Sequence, residues 1–242
     1  MIRKLASTCL SAALLLTAPV YAQSVVGSAP QAERTHQRFV YDVYFRSSKI
    51  GKITRDQRIN DNKYYLSLSA DLSFLFLKLG GYQNSTVEWR EEQQWYKPET
   101  FERRTSGLEN ISVSGTISDD SHHSQITKDG VTKNFTKNEG NITELNSMFL
   151  QVRHGLLTGE EKFDFYMQTS KKVDHYFFAV KGKEKVNTKY GQFDTIRIEQ
   201  TDVNDRSLSV WFAPALDMQM VKFKYHRKVV DISGDLNSYY EK

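Results

Sequence analysis

From Phe39 onward the chain alternates with a period of two, and this limits its fold more than any other feature. Phe39, Tyr41, Val43 and Phe45 share one face of an extended segment, with Asp42, Tyr44 and Arg46 on the other. Tyr64, Leu66, Leu68, Ala70 and Leu72 alternate likewise against Tyr65, Ser67, Ser69 and Asp71. These are half-buried antiparallel strands. The pattern recurs over residues 82–90, over 95–105 around Pro98, through Ile111, Val113 and Ile117, and again from Phe163 to the C-terminus, predicting about a dozen strands. Asn60-Asp61-Asn62, Gly80-Gly81, Gly182 and Tyr190-Gly191-Gln192 read as turns, and the run 181–185 as a solvated one. Asp129-Gly130 predicts a type I′ hairpin, because both residues tolerate positive φ. Short strands at regular spacing give an all-β rolled antiparallel sheet, a half-barrel.

One segment changes period. Leu145, Met148, Phe149, Val152 and Leu156 follow at i, i+3, i+4, i+7 and i+11, the stripe of an amphipathic helix over residues 144–157. Thr143 is placed as its N-cap, Glu144 suits the positive end of the dipole, and Gly159 stands past the last turn.

Ahead of the strands, residues 1–22 have the make-up of a secretory signal peptide: Arg3 and Lys4, an apolar run over 10–20, and Val20-Tyr21-Ala22 before the cut. Residues 23–38 then form a flexible leader, and 39–242 a single domain. The one cysteine, Cys9, would leave with the signal, so the mature chain relies on its core and not on disulfides. Cys9 precedes most of the apolar run, which argues against a lipid anchor there. Loss of Arg3 and Lys4 takes the formal charge from +4 to about +2, far from a nucleic-acid footprint. The longest later apolar run, 74–79, is broken by Lys78 and is too short to span a bilayer. The expected product is a soluble, exported, periplasmic protein with no transmembrane segment and no nucleic-acid partner.

The second half carries a resemblance. The helix over 145–153, the Val186-Asn187-Thr188-Lys189-Tyr190-Gly191-Gln192-Phe193 segment, Val210-Trp211-Phe212 with Pro214 and Asp217, and a closing hairpin through Leu236 are similar to a bacterial envelope family known as domain of unknown function 3108. Tyr41, Gly51, Trp95-Tyr96, Pro98 and Phe101 fit it less distinctly. The resemblance implies an exported rolled sheet with a helix near its open side, broadly like the half-barrels of lipoprotein-localisation factors. It implies no reaction.

Catalytic and metal motifs are weak. His122 and His123 stand beside Asp119 and Asp120, but neighbours in a strand point to opposite faces, so a polar turn is the simpler reading. No serine lies in a Gly-x-Ser-x-Gly elbow, and Glu88, Glu91, Glu92, Asp202 and Asp217 read equally well as surface carboxylates. Neither a P-loop nor a dinucleotide fingerprint is present, so no cofactor, metal or catalytic residue is assigned.

Aromatic content carries the leading function. Trp95, Trp211 and Phe212 with the helix residues Met148, Phe149 and Val152 could line a concave face for an elongated apolar ligand. Equally, they could fill a core, which periodicity does not distinguish. The reading is therefore a non-enzymatic carrier or binding protein for a lipid-like envelope component. The alternatives are a structural or interaction module of the cell envelope with a filled core, and an enzyme acting on envelope polysaccharide.

Overall fold

A computed structural model describes residues 35–242 except 75–76, 108–109, 202–205 and 228–229. The expected signal peptide, Cys9 and most of the leader lie outside the described residues. Eight strands come first: β1 (Thr35–Phe45), β2 (Ser48–Asn60), β3 (Lys63–Phe74), β4 (Leu77–Arg90), β5 (Trp95–Ser106), β6 (Ile111–Ile117), β7 (His123–Lys128) and β8 (Val131–Thr136). The two-residue β9 (Ile142–Thr143) and helix α1 (Leu145–Thr158) follow. Then come β10 (Lys162–Gln168), β11 (Val173–Asn187), β12 (Gln192–Thr201), β13 (Arg206–Ala213), β14 (Gln219–Arg227) and β15 (Val230–Glu241). Strand β1 starts at Thr35, so its first four residues fall in the stretch read as leader.

All fifteen strands join one sheet in the order β8 back to β1, then β15 back to β9. Each strand lies beside its sequence neighbour, and a single long-range pairing, β1 with β15, joins the two runs. Every pairing is antiparallel but β9 with β10, where the helix supplies the crossover a parallel pair needs. The sheet is not closed, having β8 and β9 as edges, and the fold is the all-β half-barrel with one helix that the alternation predicts.

Several turns fall as read. Asp61 adopts φ 54°, and Asp129 and Gly130 take φ 48° and 82°, as a type I′ hairpin demands. Three glycines do not make turns. Gly80 and Gly81 lie inside β4, where a Cβ on Gly81 would sit 2.5 Å from the Arg104 carbonyl oxygen, so glycine permits close approach of the two strands. Gly182, at φ 145°, is a bulge within the long β11, and the run 181–185 is exposed strand rather than turn.

The helix lies inside the roll and packs on β3, β4, β5 and β10. Met148, Val152 and Leu156, four residues apart, join the core built by β1 and β10–β15. Leu150, on the opposite side of the helix, joins Leu66, Val87 and Tyr96 of β3–β5. A helix buried on two faces is an internal strut, not a lid. Polar bonds hold both flanks. Asn146 Nδ2 donates to Ser85 Oγ at 2.9 Å, Tyr96 N donates to Gln151 Oε1 at 3.0 Å, and Arg153 Nε donates to the Asp217 carbonyl at 2.8 Å.

The β1–β15 junction is clamped by charge. Asp42 is fully buried, with Lys49 and Lys189 Nζ each 2.6 Å from its carboxylate and Asn237 Nδ2 donating at 2.8 Å. Burial opposes its ionisation, but the hydrogen bonds from Lys189, Lys49 and Asn237 outweigh it and hold the carboxyl well below the usual carboxylate range. A folded-state pKa lowered in this way adds stability above the unfolded value of about 3.9 and loses it as pH falls further.

Two outcomes are predicted. Leu150→Ala should cost about 2–5 kcal/mol in urea unfolding at unchanged m-value, because it empties the β3–β5 side of the strut; a loss under about 1 kcal/mol would mean that side is not packed. Asp42→Asn should be less stable than wild type at neutral pH, and the gap should shrink below about pH 4. A gap independent of pH would show that the clamp is not electrostatic.

Candidate functional site

Five of the six expected ligand-contact residues meet in one place. Met148, Val152, Trp211 and Phe212 are packed in the large core, and Phe149 is half-buried against it. The Trp211 indole donates to Glu184 Oε1 at 2.9 Å, which fixes the ring. Close packing here makes these side chains a wall. Trp95 stands apart at the start of β5, in a crevice of about 610 Å³ with Gln151, Phe163, Phe165 and Phe178. Its Nε1 is buried and has no hydrogen-bond partner.

The uncovered apolar surface inside the roll is elsewhere. Period-two alternation puts Ile53 of β2, Leu68, Ala70 and Leu72 of β3, and Leu79 of β4 on the inner face, and all are half-buried. The helix begins at Leu145 and closes one side, leaving a recess of about 230 Å³ with a mostly apolar floor and Gln83, Arg103, Arg104 and Thr105 along its border. Strand alternation puts Leu68, Ala70 and Leu72 on one face and helical spacing puts Leu145 on the stripe, but register and helix position, which local sequence does not encode, bring the four together.

Charge around this recess is uneven. Glu144, the actual N-cap where the sequence favoured Thr143, is fully buried; its Oε2 accepts from Asn146 N at 3.0 Å and from the Gln83 side-chain amide, and its Oε1 from Ser147 N at 2.7 Å. Ser147 Oγ accepts in return from the Glu144 backbone N–H at 3.2 Å, completing a capping box with its residue types reversed. Burial pushes the Glu144 carboxyl above its usual range, opposed by these bonds. Arg55, on the inner face of β2, is buried among neutral groups: Gln219 Oε1 at 2.6 Å, Gln57 Oε1 at 3.0 Å, the Tyr41 hydroxyl, and the Phe39 ring 4.9 Å beneath it. Arg103 on β5 reaches the recess from the other side.

Other surfaces look less like binding sites for an apolar molecule. A larger depression of about 720 Å³ on the opposite face of β1–β7 is lined mainly by hydroxyls, amides and charged groups, Arg58 and Glu102 among them, and its Arg38 is paired with Asp56 at 2.7 Å. The His122 and His123 rings tie the β6–β7 turn to the end of β8, bonding the Lys137 carbonyl at 2.9 Å and Thr136 Oγ1 at 3.1 Å. Among the described residues no three His, Cys, Asp or Glu side chains converge as for a metal ion. Glu88 and Asp217 are engaged by Arg90 and Arg153, and Asp202 lies outside the described residues. No described helix is long and apolar enough to cross a membrane.

Comparison with known proteins bears on the fold and the family. A β-barrel-like protein of domain of unknown function DUF1849 from Brucella abortus superposes with a TM-score of 0.56 at 7% identity, covering 87% of this chain and 99% of that one. That likeness concerns the fold alone. A crystal structure described as "a putative lipoprotein" from Parabacteroides distasonis covers 87% of this chain and 97% of its own at 11% identity, with a TM-score of 0.30, too low to relate the folds. No curated protein matches the sequence. The model of a family described as protein of unknown function, DUF3108, matches residues 40–236. With nearly the whole strand-and-helix region matched, the chain belongs to the DUF3108 family.

Proposed function

We propose that the protein is an exported, periplasmic binding protein that holds the apolar part of an envelope component inside its half-barrel. The observation that carries this reading is the recess formed by Ile53, Leu68, Ala70, Leu72, Leu79 and Leu145, an aliphatic surface that the internal helix leaves uncovered. A helix that completed a filled core would have covered these side chains, as it does Leu66 and Val87. In this reading Leu145 is the helix's ligand contact, with Met148, Phe149, Val152, Trp211 and Phe212 as the packed wall that holds the helix in place. Trp95 borders the separate, aromatic crevice and has no part in the recess. The composition of residues 1–22 supports export.

Each methylene buried in such a recess contributes about 0.8 kcal/mol, so affinity should rise several-fold per added carbon until the space is full. A neutral series of straight-chain alcohols, titrated by native mass spectrometry, should show that rise and then a plateau. Ala70→Phe puts a ring into the recess at a half-buried position and should weaken binding about tenfold or more with little change in melting temperature. Affinity that does not change with chain length, or an unaffected Ala70→Phe variant, would remove this reading.

A further inference from the structure

Arg103 gives the recess a chemical preference. It shares the inner face of β5 with Phe101, paired across the sheet with Gln83 of β4 and Val113 of β6. Its neighbour Arg104, opposite in strand parity, is exposed at the recess border and already paired with Glu102 at 2.9 Å. Among the described residues no carboxylate lies within ion-pair distance of Arg103. The nearest inner carboxylate, Glu144, has its oxygens engaged by the helix N–H groups and the Gln83 amide. Arg103 is half-buried; its partial burial lowers the pKa and Glu144 only partly offsets this, so the guanidinium gives up part of its hydration without an ionic partner. Arg55, on the same cross-strand row beyond Leu68 and Gln83, adds a second inner cation with neutral partners. The inner wall thus holds two guanidiniums against one carboxylate whose own ionisation is disfavoured.

Resting on the apolar-ligand reading above, we infer that the occupant of the recess is a single-chain amphiphile with an anionic headgroup, the anion pairing with the Arg103 guanidinium and the chain lying along Leu68, Leu72 and Leu145. A planar guanidinium at the border of an apolar surface suits a carboxylate, which it binds through two parallel N–H donors. A half-buried guanidinium without an ionic partner gains more from pairing with an anion than a fully hydrated one does. A neutral amphiphile of the same length would fill the same space and leave Arg103 unpaired.

The test uses dodecanoate and dodecan-1-ol, which share a chain length and differ in the head, titrated against the full mature protein by native mass spectrometry. Wild type should prefer dodecanoate by about tenfold or more, and Arg103→Met should lose that preference while still binding the alcohol. Retained alcohol binding shows at the same time that the variant is folded. Should Arg103→Met fail to fold, Arg103→Lys, which keeps the charge without the planar fork, should give an intermediate preference. Equal binding of acid and alcohol by wild type, or an acid preference that survives Arg103→Met, overturns the inference and leaves the apolar reading standing. Binding of neither probe by wild type removes both.

Discussion

The buried Glu144 carboxylate is the contact on which the rest of the arrangement depends. It accepts the first free N–H groups of the helix and is held by Gln83 from the middle of β4, so one side chain both starts the helix and pins it to the sheet. A cap of this kind contributes about 1 kcal/mol. Position matters more than that amount. With the first turn fixed over β4, Leu150 must face β3–β5 while Met148, Val152 and Leu156 face the C-terminal strands. Leu145, immediately after the cap, is left at the border of the space that the helix does not fill.

That placement explains how one open sheet of fifteen strands keeps its curvature. The two runs of strands are joined covalently by the short segment 137–141 between β8 and β9, and they pair only at β1–β15, where the buried Asp42 gathers Lys49, Lys189 and Asn237. The clamp and the strut act at different points of the roll. Further from both, Ser124 of β7 donates to Gln168 of β10 at 2.6 Å, a buried contact that brings strands near the two edges together without closing the ladder.

Much of this was legible in the sequence, and what was not has physical reasons. Period-two alternation, the Asp129-Gly130 hairpin and a fourteen-residue helix ending at Gly159 follow from local geometry, and all are present. The cap was misassigned because Thr143 is the stronger residue by general preference, whereas here its hydroxyl bonds Ser147 Oγ at 2.8 Å and the cap passes to Glu144. Gly81 and Gly182 read as turns because a sequence does not show whether glycine serves a reversal or a close approach within a strand. The helix's second face is made by Asn146, Leu150 and His154, and Leu150, its one aliphatic member, stands outside the periodic stripe. Trp211, Phe212 and Met148 were recognisable as interior residues, but whether an interior is filled depends on register and helix height. Arg103 shares strand parity with Phe101, so its inward direction was available; its lack of a partner was not, since that depends on where Glu144 lands.

The central claim is that the helix is an internal strut and not a peripheral cover, and hydrogen exchange tests it most directly. Peptides spanning 145–158 should exchange as slowly as those from β3–β5 and β13–β15, and lose protection together with them as denaturant is raised. Helix amides that exchange well ahead of the strands, through local opening while the sheet stays protected, would contradict the account.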